Sequence, residues 1–124
     1  IKQETWYADI CWNVCLEQSS KVKLAYIEVP RFPTMFRDLA FVVDKALPFE
    51  KIEAAVASLK IVKLKGINLF DVFESDKVGA GKKSMAMSFS FRDEEKTLTD
   101  EEVELLMQKI ISIFEKELHA QIRK

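Results

Sequence analysis

Ser84-Met85-Ala86-Met87-Ser88-Phe89-Ser90-Phe91-Arg92 alternates without a break. Successive side chains of an extended chain point to opposite faces, so Met85, Met87, Phe89 and Phe91 share one side. Ser84, Ala86, Ser88, Ser90 and Arg92 share the other. The first side is a core face. The second is small and polar, as expected of a face left to solvent or to a partner. The stretch reads as one strand of a sheet covered on a single face, and the rest of the chain has to supply the cover.

Two helices can supply it. Thr99 followed by Glu102 forms a capping box, and Val103, Leu106, Met107, Ile110, Ile111, Phe114 and Leu118 then recur at three- and four-residue steps. Upstream, Pro48 suits the first turn of a helix, with Glu50 and Glu53 near its positive end. Phe49, Ile52, Val56 and Leu59 make its apolar stripe.

Three more strands complete the pattern. Leu39 to Asp44 precedes the first helix, with Leu39, Phe41 and Val43 inward and Asp38, Ala40 and Val42 outward. A strand around Ile67 to Glu74 leads to the alternating stretch through Ser75-Asp76-Lys77-Val78-Gly79-Ala80-Gly81, which has hairpin-loop chemistry. Ala120 to Lys124 is a short last strand, with Ile122 inward and Gln121 and Arg123 outward. The fold class is α+β: a ferredoxin-like βαββαβ sandwich, with a four-stranded antiparallel sheet and both helices on one face.

The first 29 residues read separately. Trp6, Ala8, Ile10, Trp12, Val14 and Leu16 alternate like a strand, and Lys21 to Val29 looks like a second extended stretch ended by Pro30 and Pro33. Two strands alone are rarely stable. Residues 1–29 are therefore expected to be an N-terminal extended segment ending a preceding domain, and residues 30–124 the module proper. The chain opens at Ile1 in mid-pattern, as a piece of a longer protein would.

Composition narrows the function. With 48% hydrophobic and 31% charged residues, the chain has the make-up of a soluble globular domain, and no apolar run approaches the ~18 residues of a membrane span. Net charge is −1, but it is unevenly spread. Residues 60–92 carry seven bases against three acids, and residues 93–124 five bases against nine acids. Cys11 and Cys15, four residues apart on an extended strand, would be too distant for a disulfide, which suits free thiols in a reducing compartment.

The outward set is chemically specific. On the strand before the hairpin, Phe70 and Val72 fall on one face and Leu69, Asp71 and Phe73 on the other, so both faces carry an aromatic. If Phe70 and Val72 face the helices, Asp71 and Phe73 stand on the open face beside Ser84, with Arg123 nearby. An aromatic ring stacks unpaired bases, a carboxylate accepts from base N–H groups, and Arg bonds or stacks. Arg37 and Asp38, at a strand start, read as ion-pair chemistry fixing a turn.

Four blocks carry a resemblance. Phe32-Pro33-Thr34-Met35-Phe36-Arg37-Asp38-Leu39-Ala40, Leu69-Phe70-Asp71-Val72-Phe73, Gly81-Lys82-Lys83-Ser84-Met85-Ala86, and Phe91-Arg92-Asp93 with Thr97 to Val103 stand in order. They resemble the ferredoxin-fold anticodon-binding domain that ends bacterial phenylalanyl-tRNA synthetase β subunits. The resemblance covers about residues 30–124. It implies anticodon contacts from Asp71, Phe73, Ser84 and Arg123, with weaker backbone contacts from Lys82, Lys83 and Arg92. Arg123 lies outside the four blocks. Phe73 stands where many relatives have Tyr, which keeps the ring and drops one hydroxyl, and Lys96 replaces an Arg.

For the whole enzyme the resemblance implies a cytoplasmic heterotetramer of two α and two β subunits acting on phenylalanine tRNA. ATP and magnesium would be used by the α subunit. Within the chain itself no catalytic residue, cofactor or metal site is expected. His119 has no evident Ser or Cys partner. Gly79-Ala80-Gly81-Lys82-Lys83 falls short of a phosphate loop, which needs Gly where Asp76 stands and Ser or Thr where Lys83 stands. The competing reading is a small-ligand, amino-acid-sensing regulatory domain on the same fold, since the fold alone does not decide function.

Overall fold

The alternating serine-rich stretch lies inside a four-stranded antiparallel sheet. The structure, a computed structural model, describes residues 4–23, 25, 26, 28–74 and 78–123. Its elements are α1 (Trp12–Lys21), β1 (Met35–Asp44), α2 (Phe49–Ser58), β2 (Leu64–Phe73), β3 (Lys82–Phe91), α3 (Asp100–Glu117) and β4 (Gln121–Arg123). The strand order β2-β3-β1-β4, with α2 and α3 as the crossovers, is the ferredoxin-like arrangement that the alternation and capping signals predict. Residues 75–77 of the hairpin loop, Leu24 and Ile27 of the N-terminal stretch, and Lys124 of the last strand lie outside the described residues.

One core joins the helices to the sheet. Leu39, Phe41 and Val43 of β1 and Met85, Met87, Phe89 and Phe91 of β3 pack with Ile52 and Val56 of α2. Val103, Met107, Ile110 and Phe114 of α3 complete the same cluster. Phe114 is central: its ring lies 4.9 Å from that of Phe41 and 6.3 Å from that of Phe89, both tilted. Truncating a buried ring at such a position typically costs about 3–5 kcal/mol.

The helix ends are set by local chemistry. The Thr99 hydroxyl accepts from the Glu102 N–H at 3.3 Å, and the Glu102 carboxylate accepts from the Thr99 N–H at 3.1 Å. This is the expected capping box, and Asp100 and Glu101 add negative charge to the same turn. At the other end the Ala120 N–H donates to Phe114 O at 3.0 Å, with His119 between them at φ +49°. The chain leaves α3 through a histidine in the left-handed position that glycine usually takes just past a helix end.

The strand expected over residues 4–17 is not formed. Residues 12–21 are the helix α1, and residues 4–10 have no regular structure. A strand needs a neighbour for its backbone groups, whereas a helix satisfies them within itself. Trp12, Leu16 and the cysteine spacing also fit steps of four. None of the residues in α1 is buried, and Trp6, Tyr7, Ile10 and Trp12 are all exposed. Cys11 and Cys15 are free, but one helical turn apart rather than spread along a strand. The described residues of 21–29 show no second strand.

Candidate nucleic-acid interface

The helices leave one sheet face bare, and the ladder register says which side chains share it. Phe73 pairs with Ser84, which pairs with Val42, which pairs with Gln121. The next row runs Asp71, Ala86, Ala40, Arg123. Below it come Asn68, Ser88 and Asp38, and then Gly66, Ser90 and Phe36. Directly opposite residues share a face, so an aromatic ring, a carboxylate, a hydroxyl and a guanidinium stand in two adjacent rows.

Asp71 and Phe73 reach this face through a β-bulge. The register shifts between Leu69, opposite Met87, and Asp71, opposite Ala86, leaving Phe70 as the extra residue. Before the bulge Ile67 and Leu69 lie with the core; after it Val72 takes that side, opposite Met85, while Asp71 and Phe73 turn outward. Bulges commonly re-aim side chains in this way. The sequence alternative with Asp71 and Phe73 outward is thus the observed one, but Phe70 takes no regular place in the ladder. The Phe73 ring is 52% exposed, available for stacking.

Ser84 is only 7% exposed, and its Oγ accepts from Arg123 Nη1 at 3.4 Å. The guanidinium therefore lies over the hydroxyl from the far side of β1. The three cations first grouped as backbone contacts separate in space. Lys82 is exposed and, by alternation with Ser84, on the open side. Arg92 follows Ser90 on the same side, and its N–H still bonds to Lys63 O at 2.9 Å, so the pleat runs one residue past β3. Lys83 turns to the helix-covered side, where its ammonium donates to Leu47 O at 2.7 Å.

The uneven charge along the chain is largely folded together. Lys63 lies 3.0 Å from Asp93 and 3.8 Å from Glu102, and Lys65 lies 3.0 Å from Glu94. Lys96 bonds Glu102 at 2.5 Å. Bonding from the Glu95 N–H and then from Lys63 holds the Asp93 carboxyl below its ordinary range. Lys96 and the Thr99 N–H do the same for Glu102, while the hydrogen bond to Asp93 raises Lys63. Arg37 corrects an expectation: it pairs with Asp100 in the first turn of α3, while Asp38 points to the open face. Among the described residues Lys82 and Arg92 have no side-chain hydrogen bond or ion pair.

Sequence reasoning missed Phe36 and Asn68 on this face. Starting the first strand at Leu39 hid the continuation Phe36, Asp38, Ala40, which carries the same alternation two residues further. Among the described residues no three His, Cys, Asp or Glu side chains gather to hold a metal, and no helix is long and apolar enough to cross a membrane.

A ferredoxin-like sheet with one bare face bearing aromatic, acidic, hydroxyl and guanidinium groups defines a sheet-face binding module of the kind that takes single-stranded RNA. The sequence model of the ferredoxin-fold anticodon binding domain matches residues 30–123. The chain belongs to that family. It is 41% identical to the phenylalanine–tRNA ligase β subunit of Porphyromonas gingivalis, over 99% of this chain and 15% of that protein. The β subunits of Bacteroides thetaiotaomicron and Clostridium acetobutylicum are 38% and 35% identical, over the same shares. The chain thus spans about 15% of the length of the curated relatives it matches.

Proposed function

We propose that this chain holds the anticodon of a phenylalanine tRNA on its open sheet face, as part of a phenylalanine–tRNA ligase β subunit. The observation that carries the reading is the pair of adjacent rows containing Phe73 and Ser84, then Asp71 and Arg123. Phe73 stacks a base, Asp71 accepts from its N–H groups, and Ser84 and Arg123 complete its edge contacts. Lys82 and Arg92 meet phosphates, which carry no base identity. Lys83, committed to Leu47 O, contributes to that role only if it gives up its hydrogen bond.

Residues 30–124 are the module in this reading, and residues 1–29 end the preceding domain of the subunit. The exposed Trp6, Tyr7, Ile10 and Trp12 support that division, because so much bare apolar surface is uncommon on a free domain. Amino-acid activation, with ATP and magnesium, would belong to the α subunit of a cytoplasmic heterotetramer of two α and two β subunits.

The test is aminoacylation by the reconstituted synthetase, with wild-type and anticodon-altered tRNA. Phe73→Ala is expected to cost ~1–3 kcal/mol, the usual worth of a stacked base, and Phe73→Tyr to be nearly neutral. Asp71→Asn should chiefly reduce discrimination between anticodons. The assignment fails if Phe73→Ala and Asp71→Asn both leave kcat/KM and discrimination unchanged.

A further inference from the structure

The open face has a second aromatic ring that the anticodon reading leaves unused. Phe36 is 62% exposed, at the end of the face remote from Phe73. It pairs with Ser90 on β1's side of β3, and Gly66 pairs with Ser90 on the other. The row therefore has a ring at one edge and almost no side chain beside it. The Ser90 hydroxyl is turned into the sheet, donating to Gly66 O at 3.2 Å. A Cβ at Gly66 would stand 2.9 Å from that hydroxyl, so this part of the floor is kept low by close fit.

The polar groups around this ring have no side-chain partners among the described residues. Arg92 is diagonal to Phe36 on the same side, and among the described residues its guanidinium has no side-chain hydrogen bond or ion pair. Asn68 and Asp38 flank Ser88 in the adjoining row, and neither side chain has a hydrogen-bonding partner among the described residues. A stacking ring, a cation and edge-reading amide and carboxylate groups are the parts of a nucleotide site.

We propose that the Phe36 end of the open face is a second base-binding subsite, in which Phe36 stacks an unpaired base and Arg92 holds a neighbouring phosphate. The proposal rests on the anticodon reading, because the occupant is argued from continuity with the face that binds RNA in that reading. Geometry sets which base it is. The Phe73 and Phe36 rows meet β3 at Ser84 and Ser90, six residues or ~20 Å apart along the strand. Successive stacked bases are only ~3.4 Å apart. The base on Phe36 is thus not the neighbour of the base on Phe73 but a more distant nucleotide of the same loop. The strand between them crosses the small floor of Ala86, Ala40 and Ser88.

The experiment uses the synthetase containing this chain and an anticodon stem-loop with 2-aminopurine placed singly at each loop position. Binding is expected to change the fluorescence at two non-adjacent positions. Phe73→Ala should abolish one response and Phe36→Ala the other, with Phe36→Tyr restoring it. Phe36→Ala should also weaken binding about fivefold or more, the effect of losing one stacked base. Arg92→Ala should weaken binding and lower the salt dependence by about 0.7 in log–log slope. If Phe36→Ala binds as wild type, or binds more weakly with both fluorescence responses intact, Phe36 is a protein contact and the subsite is overturned. The anticodon reading survives that result as long as Phe73→Ala still loses its own response. If neither variant alters any position, both readings fall.

Discussion

Arg123 donates to the Ser84 hydroxyl across an intervening strand, with Nη1 3.4 Å from Oγ. β4 carries the arginine, β3 the serine, and β1 lies between them. The contact is possible because the β1 residues beneath it, Ala40 and Val42, are short. It ties the C-terminal strand to β3 at the point where RNA is proposed to sit.

This coupling is measurable. Ser84→Ala and Arg123→Ala should each weaken stem-loop binding, and the double variant should lose less than the sum. A coupling of about 0.5–1.5 kcal/mol is expected for one hydrogen bond of this kind. Strict additivity in a double-mutant cycle would show that the two groups act on RNA independently.

Lys82 and Lys83, adjacent in sequence, should behave differently. Lys83→Met removes the donor to Leu47 O and is expected to destabilise the fold by about 1 kcal/mol, with little change in the salt dependence of binding. Lys82→Met should leave the melting temperature alone and reduce the salt slope. Chemical denaturation and binding at two salt concentrations separate the two effects.

Acid should weaken the fold through the loop before α3. Asp93 and Glu102 are held below their ordinary values of 3.8 and 4.5, so the unfolded chain takes up these protons first as pH falls. Their contribution is complete above those values and is lost as pH falls through the lowered ones. The raised Lys63 acts in the opposite direction: its contribution is complete below its ordinary value of 10.5 and is lost as pH climbs through the raised one. Glu102→Gln keeps a capping-box side chain but cannot titrate. Melting curves between pH 3 and pH 6 should therefore show a shallower acid loss in that variant.

His119 offers a stabilising substitution. It occupies a left-handed conformation at φ +49° just past the C-terminal end of α3. His119→Gly removes the clash of Cβ in that conformation and should gain roughly 0.5–1 kcal/mol, read as a higher melting temperature. A lower one would mean that the imidazole makes a compensating contact.

Legibility in the sequence followed the range of the interactions. β3 obeys a strict two-residue period and α3 opens with a capping box, so both could be read from neighbours alone. β2 could be read only up to two alternatives, because its bulge interrupts the period at Phe70. At the N-terminus alternation misled: the spacing of Trp12 and Leu16 serves a helix as well as a strand, and what decides is whether a pairing strand exists. The ion pair of Arg37 was legible but its partner was not, because Asp100 is 63 residues away. Phe36 was missed only because the strand was begun too late. The cross-strand reach of Arg123 depends on the strand order, which no local pattern contains.

Phe70 leaves β2 with two ways to continue beyond Leu69: with the extra residue bulged, as observed, or with an unbroken two-residue period that would turn Asp71 and Phe73 inward. A chain lacking residue 70 would keep the observed facing, because Leu69 and Asp71 would then stand opposite Met87 and Ala86 as consecutive ladder residues. Loss of the residue thus preserves inside and outside, and what it removes is the competing register. Homologous chains should therefore tolerate both substitution and loss at this point without turning the two residues inward.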